Sequence, residues 1–176
     1  MWRLRDLIRL DRTLSKRLAI RQEARGLRLL ALLVAHSGDS PLWLLFGFVA
    51  LGYGMWGGDP TWRDLGGRVM AACLVAGAVT TALKWLFRRQ RPPGKGVGFY
   101  SRFDRHAFPS GHAGRTACLA VLLAPFFATG WPIVGLLAWV GVVGLARVAL
   151  QVHFISDIVG GWAIGLIVGV LLSLTT

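Results

Sequence analysis

Residues Phe154–Leu174 read FISDIVGGWAIGLIVGVLLSL, and Asp157 is the one ionisable side chain in the run. Crossing about 30 Å of hydrocarbon takes roughly 20 helical residues, so this stretch predicts a membrane helix. Gly161, Gly165 and Gly169 recur every four residues along one of its faces, where another backbone can approach closely. That face suits a second helix of the same chain or a second copy in a homo-oligomer, and lipid-facing glycine is the bland alternative.

Four more apolar stretches precede it: Pro41–Trp56, Leu65–Phe87, Ala113–Thr129 and Pro132–Leu150. The first and third are short and need their flanks to complete a span. Ser40-Pro41 has the form of a helix start, with the hydroxyl as cap and proline in the first turn. Gly130 with Trp131-Pro132 marks a tight turn, hence an antiparallel pair. From Trp2 to Val34 the pattern changes. Leu4, Leu7, Ile8, Leu14 and Leu18 recur at helical spacing opposite arginines, which predicts an amphipathic helix lying in the interface. Its uninterrupted apolar run, Leu29–Ala35, is too short to span, though it could begin a shortened extra span. The expected fold is an all-α integral membrane protein of about five transmembrane helices. Residues 1–36 form a basic interfacial helix, and residues 37–176 form the catalytic bundle.

Composition agrees. Hydrophobic residues make up 55% of the chain and charged ones only 16%, too few to coat a soluble domain of this size. The net charge of +12 is local. Nine of the twenty Lys and Arg residues precede Leu29, and six lie from Arg88 to Arg105. Such clusters beside apolar segments suit anionic lipid headgroups, and nothing here forms a nucleic-acid recognition fold. Cys73 and Cys118 lie inside apolar segments and suggest neither disulfide nor metal site. The first twenty residues lack the apolar core, about 7–15 residues long, of a cleavable signal peptide.

Three clusters of polar residues sit at the ends of the spans: Lys84 with Arg91-Pro92, Pro109-Ser110-Gly111-His112, and Arg147 with His153 and Asp157. Singly each has a structural reading. Lys84 could snorkel to the interface, Arg91 could obey the positive-inside bias, and Arg147 could cap a helix end. Together they form an inventory for phosphoryl transfer, in which preplaced cations and backbone N–H groups meet charge on the phosphoryl oxygens. Ser110 and Gly111 open a span with a hydroxyl and free N–H groups, and Arg115 lies one turn beyond His112. His153 and Asp157 are four apart at the start of the last span, hence on one helical face. A carboxylate beside an imidazole leaves its other nitrogen free to attack. Ionisable residues within membrane segments are costly and usually functional. His36 and His106 read as lone interface histidines. No carboxylate cluster or His/Cys spacing calls for a metal, and no cofactor is expected. The segment Pro93–Phe108 carries Lys95, Tyr100, Arg102 and Arg105, and reads as a basic, aromatic lid for an anionic headgroup.

The pattern Lys-x6-Arg-Pro, Pro-Ser-Gly-His and Arg-x5-His-x3-Asp resembles the type-2 phosphatidic acid phosphatase superfamily, from about Ser40 to the end of the chain. That family is related in fold to vanadium haloperoxidases and nonspecific acid phosphatases. The resemblance implies a metal-independent lipid phosphatase or diphosphatase. His153 would attack phosphorus and form a phosphohistidine, with Asp157 orienting it. His112 would protonate the leaving group and then help to activate water. Lys84, Arg91, Arg147, Ser110 and the Gly111 N–H would hold the phosphoryl oxygens. Ala146 stands where the family usually has serine, at a peripheral position.

Substrates that fit are polyprenyl phosphate or diphosphate (the first choice), phosphatidic acid, phosphatidylglycerol phosphate and phosphorylated lipid A. A phosphotransferase and a phosphatase for soluble esters are the alternatives. Six-span members carry an extra helix before the amphipathic segment. With five spans, the N-terminus and the site share one face. That face would hold eighteen of the twenty Lys and Arg residues, and so face the cytoplasm at the inner membrane.

Overall fold

The computed structural model describes residues 4–92, 105–127 and 130–175. The regular elements among them are helices: α1 (Leu4–Arg17), α2 (Arg25–His36), α3 (Ser40–Trp56), α4 (Pro60–Phe87), α5 (Gly111–Leu123), α6 (Gly130–Ala149) and α7 (Ile155–Ser173), with a 3-10 turn at Ala124–Phe126. This is an all-α integral membrane protein.

The amphipathic helix expected over Trp2–Val34 is two helices. α1 carries three stripes. Leu7, Leu10 and Leu14 are exposed. Arg5, Arg9, Arg12 and Lys16 line a basic cavity, and Asp11 and Ser15 turn toward α7. α2 instead lays Ala31 and Ala35 against Ala146 and Leu150 near the end of α6. Then the chain bends by 44° at residues 37–39 and continues as α3, and α2 and α3 together are long and apolar enough to cross a membrane. Neither half meets that length singly, so the apolar run at Leu29–Ala35 counts toward a span only together with α3. The helix start expected at Ser40-Pro41 is shifted by one residue: Asp39 is the N-cap, and it makes no side-chain capping bond.

α4, α6 and α7 meet the length and composition of spans unaided. α4 begins before the expected Leu65, because Asp59 accepts the Thr61 N–H at 2.9 Å and caps a turn that starts at Pro60. Arg68 then pairs with Asp64, one helical turn earlier. α5 has only 13 residues, which at the helical rise is about 20 Å. It tolerates that shortness because it lies at the centre of the bundle. Cys118, Leu119, Leu122 and Leu123 pack with Val69, Ala72 and Ala76 of α4 and with Val168 of α7. Leucines and valines such as Leu45, Val49, Leu137, Leu145 and Leu171 are left exposed on the outside, as a lipid-facing surface requires.

The glycine face of α7 is closed by α5. A Cβ on Gly161 would lie 2.5 Å from the Ser110 carbonyl oxygen, and one on Gly165 would collide with that of Gly114. This stripe is therefore spent on a contact inside the chain. The contact also brings the start of α5 against the start of α7, which is where the polar motifs meet.

Candidate active site

The site forms where the end of α4, the start of α5, the end of α6 and the start of α7 converge. Between α6 and α7 the chain reverses in a short turn. Gln151 makes this possible with φ of 57°, in the left-handed region. Its side-chain amide donates to the Ser15 and Val148 carbonyls at 2.8 and 3.0 Å. The Val152 and His153 N–H groups both turn back on the Arg147 carbonyl, at 3.1 and 3.4 Å. His153 therefore sits in the turn before α7, and that turn, not a shared helical face, sets it beside Asp157.

Both members of this pair are buried, His153 at 1% and Asp157 at 0% exposure. His153 Nδ1 lies 3.6 Å from Asp157 Oδ2, an ion-pair separation but not a hydrogen bond. Asp157 is held from two other sides. Oδ2 accepts the Phe154 N–H at 2.8 Å, closing the first turn of α7, and Oδ1 accepts Arg89 Nη1 at 2.8 Å. Burial, and then the charges of Arg147, Arg91, Lys84 and His112, hold His153 well below the usual imidazole range, since each disfavours a further positive charge. It is therefore a neutral imidazole at neutral pH. The charges felt at His153 are thus those of the three expected cations and the second histidine.

Lys84, in the last turn of α4, is only 7% exposed, so it does not snorkel to water. Its Nζ lies 3.8 Å from the point where a Cβ of Gly111 would stand. Ser110 is buried as the N-cap of α5; its hydroxyl accepts the Ala113 N–H at 3.5 Å, and its own N–H donates to the Asp157 carbonyl at 2.9 Å. The second and third motifs are thus tied together by their main chains. Gly111 and His112 follow in the first helical turn, where backbone N–H groups have no partner inside the helix.

Two residues here escaped the sequence reading. One is Asp39. Its Oδ1 pairs with His112 Nε2 at 2.5 Å and its Oδ2 with His36 Nδ1 at 2.7 Å. That explains its silence as a helix cap, since both oxygens are already engaged. The contact falls in the break between α2 and α3. Arg115, 8% exposed, donates to the Gly38 carbonyl at 2.7 Å, and a Cβ on Gly38 would press on Thr116 at 3.0 Å. The other missed residue is Arg89, hidden as one of several basic residues after α4. No sequence signal marks either partner, because the contacts join residues 73 and 68 positions apart.

Arg115 is thus an internal brace as well as a wall of a cavity of 540 Å³ that opens beside Lys84, Gly111 and His112. Asp39, Thr80, Thr81, Arg105 and His106 also line it. Arg105, one of the residues expected to meet a headgroup, is thus part of the cavity wall. His106 takes part in the wall, resting edge-on against Trp85 at 5.5 Å. Lys95, Tyr100 and Arg102, with most of the expected lid, lie outside the described residues.

Buried cations and two histidines at one end of an all-α membrane bundle are the build of a membrane-embedded phosphatase. The family model of the PAP2 superfamily matches residues 66–176. Phosphatidylglycerophosphatase B of Bacillus subtilis (strain 168) is 32% identical over 148 residues, 76% of this chain and 68% of that one. Decaprenylphosphoryl-5-phosphoribose phosphatase of Mycobacterium tuberculosis (strain H37Rv) is 37% identical over 100 residues, so the match spans 56% of this chain and about half, 54%, of that enzyme. The crystal structure of the transmembrane PAP2-type phosphatidylglycerolphosphate phosphatase from Bacillus subtilis superposes with a TM-score of 0.77 at 27% identity, covering 96% of this chain and 85% of that one. The chain belongs to the PAP2 superfamily. It is an enzyme of the phosphoric ester hydrolase class.

Proposed function

We propose that this protein hydrolyses a lipid-linked phosphate through a phosphohistidine at His153, without a metal ion. The observation that carries the reading is a buried His153 whose Nδ1 faces the Asp157 carboxylate, within the field of Lys84, Arg91 and Arg147. With Nδ1 turned to Asp157, Nε2 attacks phosphorus. The bond from phosphorus to the leaving oxygen breaks, and His112 gives that oxygen a proton. Water then attacks the phosphohistidine, passing a proton to His112 as the P–N bond breaks and inorganic phosphate leaves. Lys84, Arg91, Arg147, Ser110 and the Gly111 N–H hold the phosphoryl oxygens as charge builds on them.

A lipid substrate suits a site at the end of a membrane bundle, reached through the cavity beside α3 and α4. Both named relatives act on lipid-linked phosphates, as their names state. Within that class we favour a polyprenyl-linked phosphate, ahead of phosphatidic acid, phosphatidylglycerol phosphate and phosphorylated lipid A. The site lies on the same side as α1, since Asp11 and Ser15 contact the start of α7, and the basic N-terminal segment argues that this side is cytoplasmic.

The test is phosphate release by the purified protein, with EDTA present, from a panel of lipid phosphates, alongside His153→Ala. Release from one lipid class, lost in the variant, supports the reading and names the substrate. Release only from water-soluble esters, or only when an acceptor lipid is added, would replace it with a soluble-ester phosphatase or a phosphotransferase.

A further inference from the structure

We propose that Asp11 and Arg89 are positioning residues for Asp157, so that the N-terminal amphipathic helix is a working part of the active site. This rests on the phosphohistidine reading above. The Arg89 guanidinium lies between two carboxylates. Nη1 donates to Asp157 Oδ1 at 2.8 Å and to Ser156 Oγ at 2.6 Å, while Nη2 donates to Asp11 Oδ2 at 2.7 Å. Its carbon lies over the Phe154 ring, 4.7 Å from the centroid, a cation–π contact that steadies the guanidinium plane.

α1 also supplies the capping that α7 lacks. Phe154, at the N-cap of α7, has no polar side chain to offer. Instead, the Ile155 N–H donates to Ser15 Oγ at 3.0 Å, and the Ser156 N–H donates to Asp11 Oδ1, also at 3.0 Å. The Ser156 hydroxyl completes the ring on Asp11 Oδ2. Two orphan donors of a helix start are thus satisfied from a helix 140 to 145 positions earlier in the chain. Burial works against charge on Asp11, but the bonds from Ser156 and Arg89 outweigh it and hold the carboxyl below its usual range, as hydrogen bonds to the charged form do. Asp11 is consequently an anion at neutral pH, fit to anchor the guanidinium.

The consequence falls on Asp157. It makes no hydrogen bond to His153, so its aim at the imidazole is set by its other two partners, the Phe154 N–H and Arg89. The first is fixed by the fold of α7. The second is fixed by Asp11. A guanidinium fork reaches both carboxylates in one plane, which a lysine ammonium does less well. The charges facing the His153–Asp157 pair are then Lys84, Arg89 and Arg91 from the α4 end, His112 from α5, Arg147 from α6 and Asp11 from α1.

The experiment compares the full chain with Asp11→Asn, Arg89→Gln, Arg89→Lys, the Asp11→Asn/Arg89→Gln double variant, His153→Ala and the exposed-site control Arg17→Gln. All are assayed well below their melting temperatures. One charge-assisted hydrogen bond converts to about 10- to 100-fold in rate. Arg89→Gln should lose that much in kcat, with KM little changed, and Asp11→Asn should lose less. Arg89→Lys should recover part of the loss, and the double variant should be no worse than Arg89→Gln. Removing a cation lets neighbouring groups keep their protons to higher pH, so the acid limb of kcat/KM should move up in Arg89→Gln and stay in place in Arg89→Lys. Wild-type kcat and pH profile in Asp11→Asn and Arg89→Gln, with His153→Ala dead, would overturn the proposal. So would a lowered melting temperature with kcat intact, which marks a purely structural tie. Should Arg89→Gln fail to fold, the near-isosteric Asp11→Asn decides. Activity in His153→Ala would instead remove the underlying mechanism.

Discussion

Asp39→Ala isolates the role of His112, because the geometry separates what the carboxylate does from what it does not. It makes no side-chain capping bond to α3, so its loss leaves that helix start as it was. Its pair with His36 involves side chains 54% and 17% exposed. Contacts of that kind contribute about 0–1 kcal/mol. Its pair with His112 is shorter and more enclosed, 2.5 Å with side chains 20% and 17% exposed. A hydrogen bond to a charged group contributes about 1.5–3 kcal/mol, equivalent to about 10- to 100-fold in rate if it is felt in the transition state. The assay is kcat/KM on two phosphates with the same lipid tail, one with an alkyl and one with an aryl leaving group. Help from a general acid matters most for the alkyl group, so Asp39→Ala should lose about 10- to 100-fold there and little on the aryl ester. His112→Ala should show the same asymmetry, and Asp39→Ala should add nothing to it. Equal losses on both esters, or no loss on the alkyl ester, would refute the assignment of Asp39 as the group that orients His112.

Three further expectations follow from the same structure. His153 is held well below the ordinary imidazole range, so it stays neutral and nucleophilic through neutral pH. On that basis kcat should persist below about pH 6.5 and fall only at more acidic pH, and an acid limb at or above that value would contradict it. Gly165→Ala drives a Cβ into the Gly114 carbonyl oxygen, where backbone cannot yield locally, and overpacking of that kind costs about 1–3 kcal/mol. Thermal unfolding in detergent should show it, with Gly135→Ala, which meets nothing within 4 Å, as the unchanged control. A reporter fused after Thr176 should lie outside the cytoplasm, and a cytoplasmic signal would sink the proposed orientation.

The membrane character and the candidate site residues were legible in the amino-acid sequence. Long apolar runs are legible because the bilayer forces every span to satisfy its backbone internally and to face lipid with carbon. The three motifs are legible because cations, two histidines and a carboxylate at span ends are costly there and so stand out as candidates. Lys84, Arg91, Ser110, Gly111, His112, Arg147, His153 and Asp157 could therefore be named before any helix was placed.

Which distant residues meet them emerges only from the packing of the helices. Asp39 meets His112, Arg89 meets Asp157, and Asp11 meets Arg89, across 73, 68 and 78 positions respectively. Local periodicity predicts the face a residue occupies on its own helix, but not which helix lies opposite. The same limit hid the broken α2–α3 span, whose bend is set by Arg115 holding Gly38. It also left open the use of the glycine stripe, which was settled when α5 filled it. These pairings depend on the order in which the helices pack, and that order is a property of the whole chain.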